Sequence, residues 1–147
     1  MIRLHLPWLP PSSNNAYTNN GFGGRKLSAE GRKFLVETKT LLAQTYRREM
    51  LIFKPNKPYL VVMYFYFDAL ETKGWAKGKA NRYKKVDGGN RTKLLEDALA
   101  EAGGFDDSQT LTSIWSKMEA VQEHTVLLAW SLEEESTPFD DILRDLR

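Results

Sequence analysis

Residues 57–68, KPYLVVMYFYFD, constrain the fold more than any other stretch of this chain. β-Branched and aromatic side chains fill it and turn-forming residues bound it, which marks a strand. Alternate residues of a strand face opposite sides. Tyr59, Val61, Met63, Phe65 and Phe67 therefore share one face, and Leu60, Val62, Tyr64 and Tyr66 share the other. Both faces are apolar. Such a strand belongs at the centre of a sheet or under a layer on each side, supplied by helices or by a partner subunit.

The remaining pattern supplies those neighbours. IRLHL near the start alternates and stops at Pro7, a short first strand. The run Pro10–Asn15 reads as a turn, and TNNGFGGRK as a polar, glycine-rich loop. Ser28 suits the N-cap of a long helix ending near Met50, with Phe34, Leu35, Thr38, Leu41, Leu42, Thr45 and Tyr46 as its buried stripe. A strand near residues 81–86, a helix from Asn90 to Ala102, and strands over 111–121 and 125–132 follow. Thr137-Pro138 then opens a short acidic helix. The order β-α-β-β-α-β-β predicts an α+β domain with a mixed sheet of four to five strands and two main helices. The expected division is a body over 1–132 and an acidic tail over 133–147.

The chemistry concentrates in residues 84–109, KKVDGGNRTKLLEDALAEAGGFDDSQ. Leu94, Leu95, Ala98, Leu99 and Ala102 make one helical stripe, Asn90 can cap its start, and Gly103-Gly104 can end it. Asn90, Lys93 and Asp97 then fall on a different face. If the glycine turn folds the chain back, Asp87 and Asp107 can offer two carboxylates to a magnesium ion, which takes oxygen ligands and keeps water and phosphate in its other positions. Lys93 can hold a scissile phosphate as a point charge. Asp68, at the end of the central strand, can approach Asp87 from a neighbouring one. Acids and paired glycines at helix ends equally suit plain cap and turn chemistry.

Charge is distributed unevenly behind a formal net of +2. Between Ala69 and Val86, Lys73, Lys77, Lys79, Arg82, Lys84 and Lys85 face a single acid, Glu71. From Glu133 to Arg147 the balance reverses, with six acids against two arginines. The basic segment directly precedes the candidate site, where a phosphate backbone has to lie, and its Trp75 and Tyr83 can stack on unpaired bases. Asn14, Arg25 and Lys26 can extend this surface, in a segment that equally suits a plain flexible loop.

The combined pattern resembles the RusA family of Holliday-junction resolvases. The family signature runs approximately D-x-D-N-x-x-K-x-x-x-D-A-L and then D-D-x-Q. Here stand Asp87, Asn90, Lys93 and Asp97-Ala98-Leu99, then Asp106-Asp107-Ser108-Gln109. The opening LPPSSNNAY, a later Gly-Arg and LSAEGR are similar to the family as well, and Lys117 lies where it often places a lysine. The resemblance implies a magnesium-dependent endonuclease, with manganese as a possible substitute, that cuts four-way DNA junctions as a homodimer by paired symmetric nicks in recombination and repair. It implies metal ligation by Asp87 and Asp107 with Asp106 assisting, phosphate or leaving-group stabilisation by Lys93, and supporting roles for Asn90 and Asp97. Gly89 departs from the signature, for it replaces a carboxylate of the acidic cluster. That substitution keeps a second reading open, a junction-binding protein of the same fold without nuclease activity.

Other classes are excluded or disfavoured. The chain has no cysteine, hence no disulfide framework or thiolate metal site, which suits the cytoplasm. His5 and His124 form no ligand pair in the sequence. No leader-like apolar core opens the chain, and no apolar run approaches a membrane span. Gly88-Gly89 matches neither nucleotide-binding glycine fingerprint.

Overall fold

The central strand is β4, Tyr59–Phe67, in a computed structural model that describes residues 1–19, 24–73, 81–84, 89–134 and 136–140. It is flanked on one side by β6, His124–Ser131, antiparallel, and on the other by β5, Thr110–Glu119, parallel. β1, Ile2–Leu6, completes a sheet of order β1-β6-β4-β5 by pairing antiparallel with β6. The parallel β4–β5 pair requires a crossover, and α3, Gly89–Gly103, provides it. The architecture is α+β with a four-stranded mixed sheet, a two-stranded hairpin and two main helices.

The two apolar faces of β4 fill two cores. Tyr59, Val61, Met63, Phe65 and Phe67 pack under α3 and α2, Ala29–Thr45, against Phe34, Leu42, Leu94, Leu95 and Leu99. On the other face, Leu60 and Val62 join Trp130 and Leu132, with Ile114, Leu128 and Phe139 packed around them. Phe139 comes from the segment opened by Thr137, whose N–H and hydroxyl both donate to Asp140 Oδ1 at 2.9 Å. The expected helix beyond Asp140 lies outside the described residues.

Four expectations change. The Pro10–Asn15 turn contains one helical turn, α1, Ser13–Ala16, because both prolines stand ahead of it, where no N–H is needed. The glycine-rich loop is bracketed by a hairpin of β2, Tyr17–Asn19, and β3, Arg25–Leu27. α2 stops at Thr45, and Glu49–Ile52 continue as a separate 3-10 turn. Residues 81–84 form no sheet strand: Tyr83 makes one bridge to Glu71, with Lys84 N–H donating to the Leu70 carbonyl at 2.8 Å.

Ser28 caps α2 as its sequence suggests, accepting the Gly31 N–H at 2.9 Å. Gly31 lets α2 approach α1, since a Cβ there would lie 2.4 Å from the Ala16 carbonyl oxygen. His5 and His124, far apart in sequence, come side by side through the β1–β6 pairing, their ring centres 5.0 Å apart. Tyr66 stacks on the other side of His124 at 4.2 Å.

Candidate active site

α3 begins at Gly89, so Asn90 lies inside its first turn and does not cap it. Leu94, Leu95, Ala98 and Leu99 are buried as the stripe requires, while Lys93 stays exposed. At the far end Gly104 adopts a φ of 68°, the left-handed conformation that glycine takes without strain. The Phe105 N–H then donates back to the Ala100 carbonyl at 3.1 Å, a Schellman-type closure. Phe105 is buried, stacked on Phe53 at 4.7 Å and tilted against Tyr59 at 5.2 Å. The chain is thereby reversed and pinned alongside α3.

Asp106 and Gln109 build the next turn. The Asp106 carboxylate accepts the Ser108 N–H at 2.9 Å, and the Gln109 side-chain oxygen accepts the Asp106 N–H at 3.2 Å, a reciprocal capping box. That hydrogen bonding holds Asp106 below the usual carboxylate range. The Gln109 amide also donates to the carbonyls of Lys54 and Lys57, at 3.0 and 2.7 Å. Both residues are thus engaged in shaping the turn. Asp107 is the one whose carboxylate is presented outward.

Lys93 meets it there. Its Nζ donates to Asp107 Oδ2 and lies 2.7 Å from Asp97 Oδ1, one turn along the same helix. Hydrogen bonds to Asp107 and then Asp97 raise the Lys93 pKa above the ordinary lysine value, so the ammonium stays charged. Its side chain is 55% exposed, so the pairs contribute only about 0.2–1 kcal/mol each. Their effect is to aim the ammonium. Tyr17, from β2, borders this group: burial raises its phenol, Asp97 raises it further and Lys93 opposes. Only its place beside the polar segment of the N-terminal motif marked it in the sequence.

A model of the family described as endodeoxyribonuclease RusA matches residues 7–126. The chain belongs to that family. It is thus a structure-specific DNA endonuclease of the Holliday-junction resolvase type, and RusA nucleases are metal-dependent. No curated protein gave a significant match.

The RusA motif therefore divides into parts that build and parts that face outward. For a metal, the donor chemistry fits a hard cation: Asp107 Oδ1 has no partner among the described residues, and a hollow of about 240 Å³ beside it is lined by Asp97, Glu101, Asp106 and Asp107. No three acidic or histidine side chains among the described residues converge into a ready-made cage. Magnesium typically takes one or two carboxylates and fills its other positions with water and phosphate. Asp87 and the Asn90 side chain lie outside what is described.

The expected DNA surface is partly on view. Asn14, Arg25 and Lys26 are exposed on α1 and β3. Arg82 is paired with Glu71 at 2.8 Å, and Lys84 lies 3.4 Å from Asp68, so Asp68 meets a lysine here. Lys117 is exposed on β5 near the Trp115 ring, at 6.0 Å. Lys77, Lys79 and Lys85 lie outside the described residues. No described helix is long and apolar enough to cross a membrane.

Proposed function

We propose that this RusA-family protein cuts four-way junctions by paired symmetric nicks, using magnesium held by Asp87 and Asp107. The observation that carries this reading is the Lys93 ammonium shared between Asp97 and Asp107, which joins two motif segments into one exposed group. When bound, a divalent ion supplies an acidified water and neutralises charge at the phosphodiester. Asp107 would help hold that ion through Oδ1, the oxygen not engaged by Lys93. Lys93 would donate a hydrogen bond to a non-bridging or leaving oxygen of the phosphate and stabilise its charge, and Asp97 would keep the ammonium oriented when the Asp107 contact loosens. Asp106 acts through the turn, holding Asp107 in place. Asn90, in the first turn of α3, would serve the same centre by fixing the entry to the helix or a metal-bound water.

Arg25, Lys26, Lys117 and the basic segment around Lys77, Lys79, Arg82, Lys84 and Lys85 contact the backbone, with Asn14 beside them. Binding should then weaken steeply with salt. We place a second copy of the chain beside β5, a ten-residue edge strand with Leu111 and Trp115 exposed. Two sites related by a two-fold axis suit a two-fold junction. The protein acts on DNA in the cytoplasm.

A labelled four-way junction and a linear duplex, each with magnesium, manganese or chelator, test this. Paired nicks on the junction alone, dependent on the ion, are expected. Tight junction binding without nicks under either ion would instead favour the non-cutting reading that Gly89 motivates.

A further inference from the structure

A larger hollow opens on the other side of α3. Arg91 and Lys93 are two residues apart, so they leave the helix about 200° apart. Lys93 turns to Asp107, and Arg91 lines a cavity of about 550 Å³ with Trp8, Pro11, Glu30, Phe67 and Glu123. Lys84 and Asp68 also line it. Lys84 stands three residues before Asp87 in the sequence.

Arg91 is fixed but incompletely satisfied. Its Nη1 donates to the Pro10 carbonyl, and its guanidinium lies 5.5 Å from the centre of the Phe67 ring. Its buried Nε–H finds no acceptor among the described residues, an arrangement that costs free energy. Burial lowers its pKa, opposed by the fields of Glu123 and Glu30. Neither carboxylate closes an ion pair with it, or with any other described residue. A cation and two acids thus face one open space.

The charge balance decides what that space can take. Lys84 and Asp68 already answer one another, which leaves Arg91 against Glu30 and Glu123. A phosphate would be repelled by the excess of carboxylate. A flat neutral ring offering an acceptor to the arginine and an amine to a carboxylate fits, and adenine, cytosine and guanine each present both. Trp8, its indole N–H fixed by Thr38 Oγ1 at 3.2 Å, and the prolines supply apolar walls. Bases at a branch point are poorly stacked, so little free energy opposes moving one into a pocket.

We propose that this cavity reads an unpaired, amine-bearing nucleobase from the junction centre, with Arg91 toward its ring acceptor and Glu30 or Glu123 toward its amine, and so selects where the enzyme cuts. The proposal rests on the junction-nuclease reading, and its test separates the two.

Junctions carrying 2-aminopurine at successive positions around the branch point are saturated with the full-length protein in chelator, and its fluorescence reports unstacking without cutting. A several-fold rise at one or two positions is expected, lost in the Glu30→Gln/Glu123→Gln double variant. With magnesium, thymine at that position should slow nicking about tenfold relative to an amine-bearing base. Flat fluorescence at every position, or an equal rise in the double variant, overturns the pocket; paired nicks in that case leave the nuclease reading intact. A variant-sensitive rise without nicks under any ion overturns the nuclease reading and supports the pocket. Failure to bind any junction overturns both.

Discussion

The Gln109 side-chain amide donates to the main-chain carbonyl of Lys57 at 2.7 Å, tying the turn that carries Asp107 to the start of the central strand. The same amide reaches the Lys54 carbonyl, and its oxygen closes the capping box. Replacing Gln109 by alanine removes all three hydrogen bonds and should cost about 1–3 kcal/mol in stability, measured by urea unfolding. Nicking should fall further than junction binding, because Asp107 loses its aim while the basic surface is untouched. Equal losses in both would make the turn merely structural.

Asp106 should leave a signature in acid. Its folded pKa lies below the ordinary value, through the hydrogen bonds it accepts from Ser108. A depressed carboxylate pKa contributes stability that is present above the unfolded value of 3.8 and is lost as pH falls through the folded value. The wild type should therefore weaken as pH drops below about 4. Asn is also a good N-cap, so Asp106→Asn should fold normally at neutral pH and show a shallower decline. Unfolding curves between pH 5 and pH 2.5 check this, and parallel declines would remove Asp106 from the account.

Gly31→Ala sets two effects of opposite sign against each other. In an open helix the change would stabilise by about 0.8–1 kcal/mol. Here the new Cβ would sit 2.4 Å from the Ala16 carbonyl oxygen and 3.1 Å from a Leu27 methyl carbon. Backbone cannot yield as a flexible side chain does, and overpacking of this kind costs about 1–3 kcal/mol. The net expectation is destabilisation and a lower thermal midpoint. A stabilised variant would mean that α1 moves freely from α2.

Lys93→Met should lower kcat by about 10²–10³-fold if the ammonium stabilises charge at the reacting phosphate. The raised pKa keeps Lys93 protonated, so its loss of charge should set no alkaline limb below the ordinary lysine value. The stability linked to it is full below that value and lost only as pH rises through the folded pKa. Nicking rates of both proteins from pH 6 to pH 10 provide the check. A wild-type limb near pH 8 that the variant lacks would contradict it.

These residues also mark how far the sequence could be read. The α3 stripe and the Gly103-Gly104 stop are local patterns, and both are where the spacing puts them. The central position of β4 followed from its two apolar faces. Asp106 and Asp107, by contrast, are the same amino acid side by side. Their different uses depend on the extended backbone of Asp106, at φ −82° and ψ 136°, and on an amide anchored some 50 residues away. Nothing in the local pattern marks Arg91, whose distinguishing contact reaches the Pro10 carbonyl across 81 residues. The β2–β3 hairpin was hidden for another reason: polar three-residue strands carry no hydrophobic period.

Gly89→Asp returns to the family signature the acid that this chain lacks. Position 89 is exposed and opens α3, where a carboxylate favours the helix dipole by about 0.3–1 kcal/mol, so the variant should fold at least as well. If Asp87 and Asp107 suffice for the ion, the added carboxylate should tighten metal binding with little effect on the rate at saturation. The magnesium concentration giving half-maximal nicking should then fall by about tenfold. If the missing acid is indispensable, only the variant will cut. A magnesium titration of wild type and variant on the same junction distinguishes these outcomes. Unchanged half-saturation together with an unchanged rate would place position 89 away from the ion altogether, leaving Asp87 and Asp107, the latter with an oxygen beside Lys93, as the carboxylates on which cutting depends.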